Sequence, residues 1–284
     1  MKIGILTNIE KDIDFSVTKL LSKSLVSHGV ELLLPENTTE ITEISCIRVN
    51  EEQLIDYSDI VISLGGDGTF LRIAKKASKY NKPILGINIG HLGFLTEADK
   101  QDIDMVSKLL VEGNYTIKER MLLEGRIVNE SNNMETNIAL NDVVISRGSI
   151  SRMINISILL DGQKIDEFPA DGLIISTPIG STAYSLSAGG PIVEPDMKLI
   201  LVTPICPHTL HARSLILSDE RIVTVSVDDK NQNECILTLD GQKTFKLKGT
   251  DIIEIKKSQF SLKYIKLPEK NFFDTIRKKL FLRN

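Results

Sequence analysis

Ile60-Val61-Ile62-Ser63-Leu64-Gly65-Gly66-Asp67-Gly68-Thr69 runs from a short apolar strand into a glycine turn that holds one carboxylate. A helical pattern over residues 70–80 starts right behind it. Gly65, Gly66 and Gly68 tolerate positive φ and let a backbone approach a ligand closely. Thr69 reads as the cap of the helix, whose free N–H groups and dipole would face an anion. Asp67 is the odd element. A carboxylate placed where phosphates should bind repels them unless it holds a metal ion or takes a proton from an attacking hydroxyl. Asp and Gly are also ordinary turn formers, so the bare pattern is equally a plain turn.

On either side of this turn the first part of the chain alternates strands and helices. Strands are expected at 3–6, 31–34, 60–64 and 83–87, and helices at 15–28, 70–80 and 103–112. Such βαβ alternation implies a parallel sheet with helices on both faces, a Rossmann-like α/β domain over residues 1–113. In these sheets ligands bind beyond the carboxyl ends of strands, where Asp67 lies. From 114 to 266 the period drops to two. Strands are expected at 122–128, 139–146, 154–160, 173–176, 199–203, 221–227, 235–239, 244–247, 251–256 and 261–266. Turn signals at Asn132-Asn133, Asp161-Gly162 and Asp240-Gly241 separate them, which describes a β-rich second domain. Residues 267–284 return to helical spacing, with Phe273, Ile276, Leu280 and Phe281 on one side and Asn271 as cap. That helix is expected to dock back on the first domain.

The composition excludes several function classes. The 284 residues are 42% hydrophobic and 25% charged, as in a soluble globular protein. A net charge of −4 argues against a nucleic-acid binder. Basic residues from Lys256 to Arg283 alternate with apolar ones and read as a solvated face. The opening Met1-Lys2-Ile3-Gly4-Ile5-Leu6-Thr7 reads as a buried strand, not a signal peptide, and no apolar run approaches the roughly 18 residues of a membrane span. Cys46, Cys206 and Cys235 are far apart and form no CxxC pair, so they read as buried thiols in a reducing compartment. A cytoplasmic protein is expected.

Three further groups carry polar residues into apolar surroundings. Residues 171–190 take an apolar strand into Ser176-Thr177-Pro178-Ile179-Gly180-Ser181-Thr182-Ala183-Tyr184, a run of hydroxyls and glycines with Ser181 or Thr182 capping a short helix that Gly189-Gly190-Pro191 ends. This is a second polar ligand cradle. Asn88-Ile89-Gly90-His91-Leu92-Gly93-Phe94-Leu95 is either a loop over a site or an interdomain connection. Asn141-Asp142 interrupts an apolar strand, either to meet a ligand hydroxyl or to mark a bulge or edge. His208 and His211 lack a further ligand nearby, and neither a P-loop nor a GxGxxG is present.

Together these motifs resemble the NAD kinase family, in the family's order and over most of the chain. Residues 65–69 look like its GGDGT element, 88–95 its N-x-G-x-L-G-F-L segment, Asn141-Asp142 its Asn-Glu/Asp pair, and 171–190 its DGxxxSTPxGSTAYxxSAGGP block. GGDGT is shared with lipid, sphingoid-base and phosphofructo-kinases, whereas the long block is specific. The resemblance implies transfer of a phosphoryl group from ATP, or another donor such as polyphosphate, to the adenosine-ribose 2′-hydroxyl of NAD. It implies Asp67 as general base, with Mg²⁺ or another divalent metal whose protein ligands it does not specify. Gly66, Gly68, Thr69, Phe70 and Arg72 would serve the nucleotide, and Asn141, Asp142, Thr182, Ala183, Tyr184 and Ser187 would hold NAD. The active site would lie between the domains and be completed by a neighbouring subunit of a homodimer or homotetramer, to which Asp171 contributes.

The chain departs from the pattern at Phe168-Pro169-Ala170, which lacks the basic or amide side chain many relatives carry, and at Ile179, where threonine is usual. Asp142 is the shorter of the two acids the motif allows. Two rival readings remain. A lipid kinase would need an apolar substrate channel, yet Ser, Thr, Asn and Asp fill the second half of the proposed site. A sensor that binds NAD without turnover would have no use for Asp67.

Overall fold

The structure is a computed structural model and describes residues 1–90, 93–128, 136–148, 152–228, 235–249, 251–268 and 271–281. The chain forms two compact units, Met1–Glu119 together with Phe260–Asn284, and Arg120–Gln259. The turn read at Asn132-Asn133 lies outside the described residues. No helix among the described residues is long and apolar enough to cross a membrane.

The first unit is built on a parallel sheet. Its strands lie in the order Ile47–Val49, Glu31–Pro35, Lys2–Thr7, Ile60–Gly65 and Ile84–Asn88, and the end of Ile252–Lys266 joins through Tyr264 opposite Ile84. Every residue of Ile60–Gly65 is buried, as expected of a parallel strand covered on both faces. From Lys2–Thr7 the chain adds strands first on one side and then on the other. The switch point therefore falls between Lys2–Thr7 and Ile60–Gly65, and the loops after both strands flank it.

Helix Ser16–Ser27 begins one residue later than its periodicity suggests, because Phe15 turns through φ 54°. Asp12 supplies the missing cap, its carboxylate accepting the amides of Val17 at 3.0 Å and Thr18 at 2.9 Å. The strand Ile47–Val49 and the helix Glu51–Tyr57 carry no clear periodic signal in the sequence. The helix buries only Leu54 and Ile55, too few apolar positions to show a period, although Asn50 caps it by accepting from Gln53 N–H at 2.9 Å.

The tail belongs to the first unit, as expected. Asn271 caps it by accepting from Phe273 N–H, and the helix Phe272–Ile276 widens into a π turn at Arg277–Phe281. Phe273 is exposed, while Ile276 carries the burial.

The second unit stacks two antiparallel sheets. One runs Gln163–Ala170, Ile154–Leu160, Val223–Asp228 and the start of Ile252–Lys266. The other runs Leu215–Ser218, Leu199–Ile205, Gly172–Ser176, Asp142–Arg147, Cys235–Leu239 and Lys243–Leu247. Ile156, Ile158, Val225 and Ile253 of the first sheet share one apolar cluster with Val143, Ile145, Leu173 and Leu237 of the second. The Asp161-Gly162 and Asp240-Gly241 turns hold both residues at positive φ, the conformation that matches the twist of hairpin strands.

Several expectations change here. The strand expected at 139–146 is two, Asn137–Ala139 and Asp142–Arg147, which belong to different sheets. The strands expected at 251–256 and 261–266 merge into Ile252–Lys266. Strands Gln163–Ala170 and Leu215–Ser218 were not anticipated; Phe168-Pro169-Ala170 closes the first of them. Cys235 is buried, Cys46 half-buried and Cys206 exposed. The basic residues near the C-terminus are not merely a solvated face, since Lys257 pairs with Asp219 at 2.6 Å and Lys266 with Glu97 at 3.2 Å.

Candidate active site

In the first unit the glycine turn differs in detail from its sequence reading. None of Gly65, Gly66 and Gly68 has positive φ. Gly66 is extended at the helix cap position, and the helix already begins at Asp67. Thr69 lies inside the first turn, where its Oγ1 accepts a hydrogen bond from Asn8 Nδ2 at 3.0 Å, so it ties the two switch-point loops together and does not cap.

Asp67 is where the separate motifs converge. Its Oδ2 accepts from Phe94 N–H at 2.9 Å and its Oδ1 from Leu95 N–H at 3.1 Å, so the segment that begins at Asn88 folds over the carboxylate. Two amide bonds to a carboxylate are charge-assisted and fix its orientation. This approach requires glycine at 93, since a Cβ there would stand 2.0 Å from Asp67 Oδ1. Residues 91 and 92 of the segment lie outside the described set.

Lys279, which the sequence marked only as one of the basic residues of a solvated tail, completes the surroundings. Its Nζ lies 3.9 Å from Asp67 Oδ2 and 4.2 Å from the centroid of the Phe94 ring. Burial holds the ammonium below the ordinary lysine range, with Asp67 pulling the other way.

Two residues expected to serve the nucleotide are engaged elsewhere. Phe70 is fully buried and meets Tyr264 edge to face, with centroids 5.8 Å apart. Its ring packs the core beneath the turn. Arg72 reaches Glu51, its Nη1 lying 2.8 and 3.0 Å from the two carboxylate oxygens, and Lys76 shares the same partner.

In the second unit Asn141-Asp142 and the 171–190 block come together. Thr177 N–H donates to Asn141 O at 2.9 Å, and Thr177 Oγ1 donates to Leu140 O at 2.6 Å while accepting from Gly180 N–H at 3.1 Å. Thr177 thus braces the 3-10 turn Ile179–Thr182, while the short helix Tyr184–Ser187, which Ser181 or Thr182 was expected to cap, has no side-chain cap. Those two hydroxyls instead bind Val193 and Ile179. Gly180 presses against Asn141, where an added Cβ would stand 2.1 Å from the carbonyl oxygen.

The polar break at Asn141-Asp142 is therefore a sheet change, and Asp240 supports it. That carboxylate accepts the amides of Leu140, Asn141 and Asp142 at 3.0, 2.8 and 3.2 Å. The Asp240-Gly241 turn signal concealed this second role.

A cavity of about 340 Å³ opens here, lined by Asn141, Asp142, Ala183, Tyr184, Thr238 and Asp240 among others. Asn141 Oδ1 is buried without a hydrogen-bond partner among the described residues, an unsatisfied acceptor on a residue that lines this cavity. Asp171, Thr182 and Ser187 do not line it. Asp171 accepts from Arg147 Nε at 2.7 Å.

Family comparison assigns both units. The model of the ATP-NAD kinase N-terminal domain matches residues 3–115, and that of the ATP-NAD kinase C-terminal domain matches 140–267. The chain belongs to the NAD kinase family. An NAD kinase of Acetivibrio thermocellus is 44% identical over 283 residues, spanning 100% of this chain and 98% of its own. One from Clostridium beijerinckii is 39% identical over 279 residues, spanning 98% and 95%.

Solved structures agree. Yeast NADH kinase complexed with NADH matches with a TM-score of 0.85 at 26% identity, over 100% of this chain and 88% of that one. An NAD kinase from Archaeoglobus fulgidus in complex with ATP matches with a TM-score of 0.72 at 27% identity, over 98% and 99%. As a member of the NAD kinase family the chain is an enzyme, and its glycine turn and its polar cradle fall in the family's N- and C-terminal domains respectively.

Proposed function

We propose that the protein transfers the γ-phosphoryl group of ATP to the 2′-hydroxyl of the adenosine ribose of NAD, giving NADP and ADP. The hydroxyl oxygen forms the new bond to the γ-phosphorus as the bond from that phosphorus to the β–γ bridging oxygen breaks. Asp67 takes the hydroxyl proton. The observation that carries this reading is the Asp67 carboxylate, held by the Phe94 and Leu95 amides at the end of a strand that flanks the switch point. Asn141, Asp142, Ala183 and Tyr184 line the cavity that would take NAD, and the unpartnered Asn141 Oδ1 would accept from it.

No group of three His, Cys, Asp or Glu side chains among the described residues could hold a metal ion. A divalent ion bound with the donor phosphates would find in Asp67, whose carboxylate stands at the glycine turn, a protein oxygen ligand. Magnesium is commonly bound in this way. Its contribution, when bound, is to offset charge on the transferring phosphoryl group.

Purified protein with NAD, ATP and Mg²⁺ should form NADP, and should form none without ATP. Asp67→Asn should keep NAD binding while turnover falls about 10²- to 10⁴-fold, the range for a lost general base. Near-normal turnover in that variant would remove Asp67 from the role. NADH is worth assaying beside NAD, because the yeast neighbour binds NADH. A homodimer or homotetramer, with Asp171 serving the neighbouring subunit, is part of the same proposal; light scattering of the eluting protein tests the first half.

A further inference from the structure

We infer that Lys11 is the cation this fold supplies to the triphosphate of the phosphoryl donor. The inference rests on the proposed kinase reaction and names a residue no motif contains. Lys11 belongs to the loop that leaves Lys2–Thr7, the strand facing Ile60–Gly65 across the switch point. That loop is tied to the Asp67 turn from both strands. Asn8 N–H donates to Leu64 O at 2.8 Å, and Asn8 Nδ2 donates to Thr69 Oγ1 at 3.0 Å. Lys11 N–H in turn donates to Asn8 O at 3.1 Å.

On the far side the loop is anchored by Asp12. This buried carboxylate binds the amides of Val17 and Thr18 and the Thr18 hydroxyl. The backbone of Lys11 is thus pinned on both sides while its side chain stays exposed. That side chain reaches the turn: a Cβ added at Gly66 would stand 3.0 Å from Lys11 Nζ.

Charge pairing then distinguishes the two ammonium groups at this turn. Lys279 lies 3.9 Å from Asp67 and answers that carboxylate. Lys11 Nζ has neither an ion pair nor a hydrogen bond among the described residues, and its neighbour Asp12 is already committed to backbone amides. An unpaired ammonium beside an extended glycine, next to the first turn of a helix, matches a polyphosphate as a point charge. Gly66 leaves room there for phosphate oxygens to meet both the backbone and the ammonium.

The test compares wild type, Lys11→Ala and Lys11→Arg by initial rates with ATP and NAD varied separately. Calorimetric binding of Mg²⁺·ATP and thermal melting are measured alongside. In Lys11→Ala, kcat/KM for ATP should fall tenfold or more and ATP binding should weaken in step. KM for NAD should stay within twofold and the melting temperature should not change. Lys11→Arg should recover most of the loss. Unchanged ATP binding and kcat/KM in Lys11→Ala would overturn the assignment, as would a loss shared equally by ATP and NAD with a lowered melting temperature. If wild type makes no NADP, the proposed reaction fails, yet the comparison of ATP binding still decides whether Lys11 meets the triphosphate.

Discussion

Asp67 shows what a single residue needs from its surroundings. A turn carboxylate in a bare Gly-Asp-Gly pattern would be free to rotate, but here two amides and a lysine restrain it. The restraint depends on the missing side chain at 93. Gly93→Ala would set a Cβ 2.0 Å from Asp67 Oδ1, so the carboxylate must leave the Phe94 and Leu95 amides. Misplacing a reacting group by about 1 Å can cost about 10²-fold. We expect turnover in Gly93→Ala to fall about tenfold or more, with NAD binding retained, in a side-by-side assay of rates and equilibrium binding. Full activity would mean that the carboxylate need not be held where it is. The Gly93 signal was visible in the sequence as part of a motif, but its reason was not, because the atom it must avoid belongs to a different element.

At the scale of elements, the helix Glu51–Tyr57 illustrates how charge fixes packing that periodicity leaves unmarked. Arg72 and Lys76, one turn apart on Asp67–Lys79, both reach Glu51. Burial pushes the Glu51 carboxyl up, while hydrogen bonds and charge from Lys76 and Arg72 outweigh it and leave the folded value below the ordinary 4.5. A carboxylate lowered on folding stabilises the protein above its unfolded value, and that contribution disappears as the pH falls through its folded value. Wild type should therefore melt above Glu51→Gln at neutral pH, and the gap should close as the pH drops below 4.5. The partners are part-exposed, so the gap should reflect about 1 kcal/mol or less per pair. A pH-independent gap would assign the effect to packing. The Asn141-Asp142 break is the second instance at this scale: two adjacent polar residues in an apolar run indicated something other than a plain strand. Only the strand pairing reveals a crossing between sheets, which three amide bonds to Asp240 brace.

Across the whole molecule, the first unit is discontinuous in sequence, since its last strand segment and tail follow the entire second unit. Leu262, Ile265 and Leu267 are buried there, Tyr264 packs on Phe70, and Lys266 pairs with Glu97. Three buried aliphatic side chains contribute about 1.5–3 kcal/mol each, against about 5–15 kcal/mol for a whole domain. A chain ending at Gln259 should therefore lose the cooperative melting of its first unit, whereas one ending at Pro268 should keep it; circular dichroism on heating distinguishes the two. The sequence by itself determined the strand–turn–helix units, the parallel and antiparallel halves, the hairpin turns and the family, because each is written in local periodicity, in residues with special backbone freedom, or in contiguous motifs. Tertiary structure alone decided that Phe94 and Leu95 bind Asp67, that Lys279 and Lys11 flank its turn, that Asp240 holds Asn141, and that Phe70 and Arg72 are engaged elsewhere. Those partners come from distant segments, and only the strand order of the folded sheets brings them within reach.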